Sequence, residues 1–316
     1  MKDAIINVEG LSHSYGKTVA VDNIYFHVEE GQIFSFLGPN GAGKTTTINL
    51  LITLLRIQKG QITISGVNVA KNPDAVRRNI GVVFQDHRLD RDLTIWETLE
   101  FHGKIHSLPK ETRRQRITEL LNIVELGDKR NAFIKNLSGG MKRSVEIARG
   151  LLVHPKVLFL DEPTIGLDTK ARQRIWHYIK QINREENVTV FLTTHYMDEA
   201  DQYSHEICII DKGKIMANGS SSSLKNAIGK DIYHIKTTDD LKASQILANL
   251  PEISHVEKNS NGLLLYLKNN ELSASKLVKS LTIHQIKLGN LNLLKPTLDD
   301  VFIYYTGRKI DSTVDA

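Results

Sequence analysis

An α/β domain with a largely parallel core sheet, followed by a smaller α+β unit, is the fold class the sequence predicts. Three observations carry it. Five short apolar runs, at residues 33–37, 80–84, 157–160, 188–192 and 207–210, have the length and the β-branched or aromatic content of strands buried on both faces. Several are followed by a Gly-rich or polar turn and then a helical pattern, the alternation that builds a parallel sheet. After residue 223 the pattern changes to strand, helix, two strands, helix, strand, the order of a ferredoxin-like unit.

Taken in order, residues 5–9 and 23–28 read as short antiparallel strands. Residues 86–136 hold two charged helices, 94–106 and 111–124, with no strand between them, and read as a helical insert. Lys104, Lys110, Arg113, Arg114 and Arg116 cluster there and read as a solvated face. Gly219 to Ser223 marks the edge of the first domain. Beyond it come strands 232–237, 253–258, 262–268 and 283–288. Two helices present apolar stripes, Ala243, Ile246, Leu247, Leu250 and Ala274, Leu277, Val278, Leu281. Thr297 and Asp300 form a capping box for a last helix with Leu298, Val301, Phe302 and Tyr305 as its stripe, and Gly307 is its stop. The expected domains are 1–225, 226–310 and a mobile tail, 311–316.

Composition narrows the function classes. A chain of 316 residues fits one large or two ordinary domains. The formal charge of +5 is mild and allows contact with phosphate or anionic lipid without requiring it. The mean hydropathy is −0.24, and no apolar stretch approaches the ~18–20 residues of a membrane span. No apolar leader follows Met1-Lys2-Asp3-Ala4. One cysteine, Cys208, excludes an internal disulfide framework and a cysteine metal site. A cytosolic protein is expected.

Gly38-Pro39-Asn40-Gly41-Ala42-Gly43-Lys44-Thr45 fits G-x-x-x-x-G-K-[ST] and sits between the strand 33–37 and a helix expected at 46–55. Glycines let backbone N–H groups turn around a polyphosphate, and the helix that Thr46 opens adds partial positive charge. Lys44 is placed to reach the β- and γ-phosphates of ATP, and Thr45 to put a hydroxyl on Mg²⁺. Hydrolysis then needs a second acid for the metal and a way to activate water. The apolar strand at 157–160 exits into Asp161 and Glu162, whose side chains point in different directions. Asp161 is assigned to Mg²⁺ and Glu162 to the general base. Gln85 follows a strand and could touch the metal or the water. His195, after Phe191-Leu192-Thr193-Thr194, could donate to the γ-phosphate and hold the water. Leu137-Ser138-Gly139-Gly140 opens a helix expected at 141–152 and forms a second anion cradle. One γ-phosphate does not usually need two cradles in one chain, so the second is read as serving a nucleotide on another subunit.

In this order the motifs resemble those of the ATP-binding subunits of ABC transporters, over residues 1 to about 225. The set runs Tyr15, the loop Gly38 to Thr45, Gln85, the signature Leu137 to Arg143, Asp161-Glu162, then Gly166-Leu167-Asp168 and His195. The resemblance implies a P-loop NTPase fold of the ABC ATPase type. It implies that Tyr15 stacks on adenine, that Ser138, Gly139 and Gly140 touch the γ-phosphate of the opposite subunit, and that Asp168 crosses the dimer interface. The active state it implies is a head-to-tail pair, expected to be a homodimer, with two ATP molecules sandwiched between subunits. It implies a separate transmembrane permease, contacted through residues 86–96 and the adjoining helix. The ending Lys295-Pro296-Thr297-Leu298-Asp299-Asp300-Val301-Phe302, with Thr306-Gly307 behind it, looks like that of ATPases similar to the daunorubicin-resistance exporter subunit. Those pair with ABC-2-type permeases, and Gly140-Met141-Lys142-Arg143 fits them. Ile165 and Ser144 depart from the pattern, without removing a phosphate ligand. The expected protein is an exporter ATPase held peripherally at the cytoplasmic face of the membrane, with no nucleic-acid partner. The competing readings are an importer ATPase with a regulatory C-terminal domain and a soluble ABC ATPase acting on ribosomes or DNA.

Overall fold

Parallel strand pairing organises the larger part of the chain. The computed structural model describes residues 4–229, 231–259, 261–267 and 272–307. Its central six-stranded sheet has the order Lys214–Gly219, Glu206–Asp211, Ile33–Leu37, Thr189–Thr194, Val157–Asp161, Ile80–Val83. From Glu206–Asp211 to Ile80–Val83 every pair is parallel. Every residue of Ile33–Leu37, Val157–Asp161 and Thr189–Thr194 is buried, which is why these runs carry no polar alternation. One side of the sheet holds an aromatic cluster. Phe191 lies 5.4–6.0 Å, ring to ring, from Phe26, Phe34, Phe36 and Phe159.

A second, antiparallel sheet has the order Thr18–Glu29, Ala4–Tyr15, Lys59–Ile64, Val67–Asn68. Its first two strands have 12 residues each, more than the alternation predicts. Repeated register shifts between them break the period-2 pattern and hide their length.

The insert contains the helices Ile95–Ile105 and Lys110–Ile123. Thr94 and Glu97 cap the first reciprocally. Two of the five basic residues read as solvated are buried. Arg113 pairs with Glu100 at 2.7 Å, and Arg116 with Glu186 at 2.6 Å. Each also donates to a backbone carbonyl, of Leu108 and Leu151 respectively, so they fasten the insert rather than face solvent.

The chain divides into two units between Met216 and Ala217. In the second, Ile253–Asn259, Gly262–Leu267, Ile232–Thr237 and Leu288–Leu294 form a fully antiparallel sheet in that order. With the helices Asp240–Leu247 and Ala274–Ile283 this is the ferredoxin-like arrangement. The closing strand is Leu288–Leu294, not 283–288. Ile283 ends its helix and is exposed, and Gln285 turns the chain with φ +61°. The true strand is mostly solvent-facing and carries Gly289, Asn290 and Asn292, weak strand formers that mask it. Val278 is exposed while Leu277 and Leu281 are buried. In the last helix, Leu298–Thr306, Ile303 is buried and Tyr305 only half-buried. Gly307 caps that helix at φ +72°. The expected end of one strand at Lys268 and the expected mobile tail 311–316 lie outside the described residues.

Phe191 is the test of how the sheet is held. Phe191→Ala is expected to cost about 3–5 kcal/mol, read from the urea midpoint of the full chain, because no neighbour can close the space it leaves. A loss below about 1 kcal/mol would contradict the packing described.

Candidate nucleotide site

The phosphate loop starts where Ile33–Leu37 ends. Gly38 N donates to Thr194 O at 3.2 Å, tying the loop to the neighbouring strand. A Cβ on Gly38 would lie 2.3 Å from Ile210 O, so no side chain fits there. Gly43 has φ +107°, and a Cβ on it would lie 2.4 Å from Ala20 O. The helix that follows is Lys44–Leu51, shorter than 46–55 and starting two residues earlier. Thr45 and Thr46 therefore lie in its first turn. Its cap residue is Gly43, which has no side chain to satisfy the first N–H groups. They remain directed outward as donors with the positive end of the helix dipole behind them.

Lys44 is buried. Its Nζ donates to Gly38 O at 2.8 Å and Pro39 O at 3.1 Å, and pairs with Glu162 Oε1 at 3.1 Å. Glu162 is held from the other side by His195, whose Nδ1 lies 3.1 Å from Oε2. Its φ is +47°, a conformation that costs a non-glycine residue about 1–2 kcal/mol. This turn out of the strand, rather than strand alternation, separates the two carboxylates. Asp161 stays in the sheet, opposite Thr193. Thr193 Oγ1 donates to Asp161 Oδ1 at 2.5 Å and accepts from Glu162 N at 3.0 Å. One hydroxyl thus fixes both acids. Burial pushes the Asp161 carboxyl up, and the nearby Glu162 adds to this, against opposing bonds from Thr193 and Thr45. Burial acts the same way on Glu162, but His195 and Lys44 outweigh it and hold that carboxyl below the usual value of 4.5.

The remaining candidates stand in separate groups. Among the described residues, no hydrogen bond or ion pair joins the Lys44–Asp161–Glu162–His195 cluster to Tyr15, Gln85, Ser138 or Asp168. Tyr15 is exposed and meets His13 edge-on at 4.9 Å. Gln85 has an exposed side chain, and its carbonyl is taken by Arg143 at 2.6 Å. Ser138 caps the helix Gly139–Leu151, which starts two residues before the expected 141. Asp168 caps Thr169–Glu186 by accepting from Ala171 N at 2.9 Å. A Cβ on Gly140 would lie 2.7 Å from Ala171 Cβ, so Gly140 lets the Ser138 helix sit against the start of the Asp168 helix.

Sequence reasoning missed three supports. Thr193 is visible in the sequence, but its role needs the sheet order that sets it beside Asp161. Glu199 is buried, accepts from Thr164 Oγ1 at 2.7 Å and lies 3.2 Å from Arg172 Nε. The Arg172 guanidinium also stacks 4.4 Å over Tyr196, so the segment after Glu162 is braced against the residue after His195. Arg143 is the third. Its i, i+3 spacing to Glu146 on an otherwise inward helix face was the available signal.

Comparison with known proteins gives the family. Residues 21–165 match the family model described as ABC transporter, and residues 219–306 match the ATP-binding protein DrrA1-3-like, C-terminal domain. The daunorubicin resistance ATP-binding protein DrrA3 of Streptomyces coeruleorubidus is 36% identical over 308 residues, covering 97% of each chain. The Nod factor export ATP-binding protein I of Ralstonia nicotianae is 37% identical, covering 97% of this chain and 95% of its own. The linearmycin resistance ATP-binding protein LnrL of Bacillus subtilis is 33% identical, covering 97% and 99%. Among solved structures, cbiO1 of Clostridium perfringens, part of the ABC transporter complex cbiONQ, superposes with a TM-score of 0.67 at 26% identity. It covers 79% of this chain and 97% of its own. The phosphate loop, the paired acids and the matches over nearly the whole length lead to one conclusion: the chain belongs to the ABC transporter ATP-binding proteins, ATP-hydrolysing enzymes, in the group with a DrrA-like C-terminal domain.

Proposed function

We propose that this chain is the engine of an export complex, hydrolysing ATP between two copies of itself and driving a separate ABC-2-type permease. The observation that carries the catalytic part is Glu162, buried and gripped between Lys44 and His195. In this reading ATP phosphates take over Lys44. Glu162 then loses its cation and gains an anionic neighbour, and both changes raise its affinity for a proton. Nucleotide binding thus turns a carboxyl held below its usual value into a better base for water. His195, whose Nδ1 faces Glu162, would turn its other ring nitrogen to the γ-phosphate.

The donor set near the loop suits Mg²⁺. Thr45 and Asp161 offer hard oxygens that already interact, and no group of three or more His, Cys, Asp or Glu side chains able to hold a metal exists among the described residues. Thr45 and Asp161, with Gln85, would hold Mg²⁺, and the metal would neutralise charge on the phosphates.

Ser138, Gly139 and Gly140 are assigned to the γ-phosphate of the opposite subunit, with Asp168 at the interface and Tyr15 on adenine. Ser138 heads a helix of its own, Gly139–Leu151, a second anion cradle besides the phosphate loop, and this supports a composite site. A related bacterial ABC transporter cassette, 30% identical with a TM-score of 0.62, is itself a dimer. Export is supported by relatives named for drug resistance and Nod factor export. Among the described residues no helix is long and apolar enough to cross a membrane, which supports a separate permease. We assign its dock to residues 86–96 and the adjoining helix, whose His102 lines a groove of about 270 Å³ together with Leu54, Phe84 and Arg149 from outside the insert. Exposed Phe101 and Ile105 lie on the same insert helix as His102. The chain then works peripherally at the cytoplasmic face. We assign the first unit, expected at 1–225 and ending at Met216, to the cassette, with its insert at 86–136, and the second, expected at 226–310 and opening at Ala217, to the accessory domain.

Glu162→Gln is expected to lower kcat at least ~100-fold and to leave an ATP-bound dimer visible by light scattering. Hydrolysis at the wild-type rate, or a monomer at saturating Mg-ATP, would refute the assignment. His195→Asn removes a group that holds the Glu162 carboxyl down. The acid limb of kcat/KM is therefore expected to move to higher pH. An unmoved limb would show that His195 does not set the state of Glu162. Pulled from detergent-solubilised membranes of its source cell, the full chain is expected to bring a multi-span membrane protein with it. Recovery with nucleic acid and no membrane protein would favour the ribosome or DNA reading instead.

A further inference from the structure

Between the Ile80–Val83 strand and the Thr94 cap, the chain holding Gln85 has no helix or strand of its own. Its residues 84–88 are fixed by side chains of one helix, Gly139–Leu151. Arg143, 2% exposed, donates to Phe84 O at 2.5 Å and Gln85 O at 2.6 Å. It also pairs with Glu146 at 3.1 Å, itself 1% exposed. Glu146 accepts from Arg88 N at 2.9 Å and lies 2.9 Å from His87 Nδ1. Arg149 donates to Arg88 O at 2.9 Å, and the Arg88 guanidinium lies 4.1 Å over the Phe84 ring. Positions 143, 146 and 149 form one stripe along the helix, and together they hold residues 84–88 at both ends.

We propose that Arg143 is a positioning residue, which locks the Gln85 loop to the helix headed by Ser138, Gly139 and Gly140 so that the two move as one body. This rests on the composite-site reading above. In that reading Gln85 serves the nucleotide of its own subunit and Ser138 that of the partner. A helix is stiff along its axis, and Ser138 caps the same helix that carries Arg143. A shift of Gln85 on nucleotide binding is therefore passed to the cradle facing the other site. The planar guanidinium is suited to this because its rigid fork holds two successive carbonyls and Glu146 at once. Removal leaves both carbonyls without that donor and the loop without its hold.

The test is a double-mutant cycle on the full chain, reading steady-state ATP hydrolysis. Gln85→Ala and Arg143→Leu are each expected to lower kcat about tenfold, the scale of lost support around a metal or reacting group. Because Arg143 acts through the Gln85 loop, the double variant is expected to be no slower than Gln85→Ala alone. Arg143→Lys, which keeps the charge but not the planar fork, is expected to fall between. Retained affinity for a fluorescent ATP analogue would show that the phosphate loop is intact. If Arg143→Leu does not fold, Glu146→Gln takes its place in the cycle with the same expectation. Multiplying effects in the double variant, or a wild-type rate for Arg143→Leu, would overturn the proposal. A wild-type rate for Gln85→Ala would overturn it by removing the role of Gln85. The composite-site reading on which it rests fails separately, if Glu162→Gln stays monomeric at saturating Mg-ATP.

Discussion

Parallel register at three strand ends is the constraint from which the site follows. Ile33–Leu37, Thr189–Thr194 and Val157–Asp161 are neighbours, and all three point the same way. Leu37 stands opposite Thr194, and Asp161 opposite Thr193. The chain must therefore leave all three strands at one edge, where an open α/β sheet holds its ligands. Lys44, Glu162 and His195, far apart in sequence, meet there because their strands stop together. Slip one strand by a residue and Thr193 no longer reaches Asp161 and the Glu162 N–H at once.

That edge concentrates charge in a dry place. Lys44, Asp161 and Glu162 are each about 5–6% exposed. Burial pushes both carboxyls up, and only Glu162 has enough cationic support to end below its ordinary value. The pair of acids is thus split by surroundings rather than by residue type, as in sites where two carboxylates take different roles. The left-handed turn at Glu162 is sustained by its three neighbours, Thr193 at the N–H and Lys44 and His195 at the carboxylate. Strain of this kind persists where the surroundings over-determine it.

The features legible in the sequence were those written in short stretches. The phosphate loop, the strand before it and the acid pair are local. The buried strands announce themselves as unbroken apolar runs. The signature cradle is legible as a second capped helix start at Ser138. What escaped was written across distance. Thr193 acts through a strand neighbour 32 residues away from Asp161. Arg113 and Arg116 looked like surface residues because their partners, Glu100 and Glu186, come from other helices. The closing strand of the second unit hid because its glycine and asparagines suit an exposed edge and not a core. Bulges shortened the visible length of the first two strands. In each case the local pattern was real and the tertiary partner overrode it.

The central claim is that each working site is built from two chains, Glu162 from one and Ser138 from the other. Mixing tests this directly. A Glu162→Gln chain and a Ser138→Arg chain are each expected to be nearly inactive. Mixed, they form pairs in which one site joins an intact Glu162 to an intact Ser138. The account predicts that hydrolysis returns on mixing. A mixture as inactive as its separate parts, with dimers present, would contradict it.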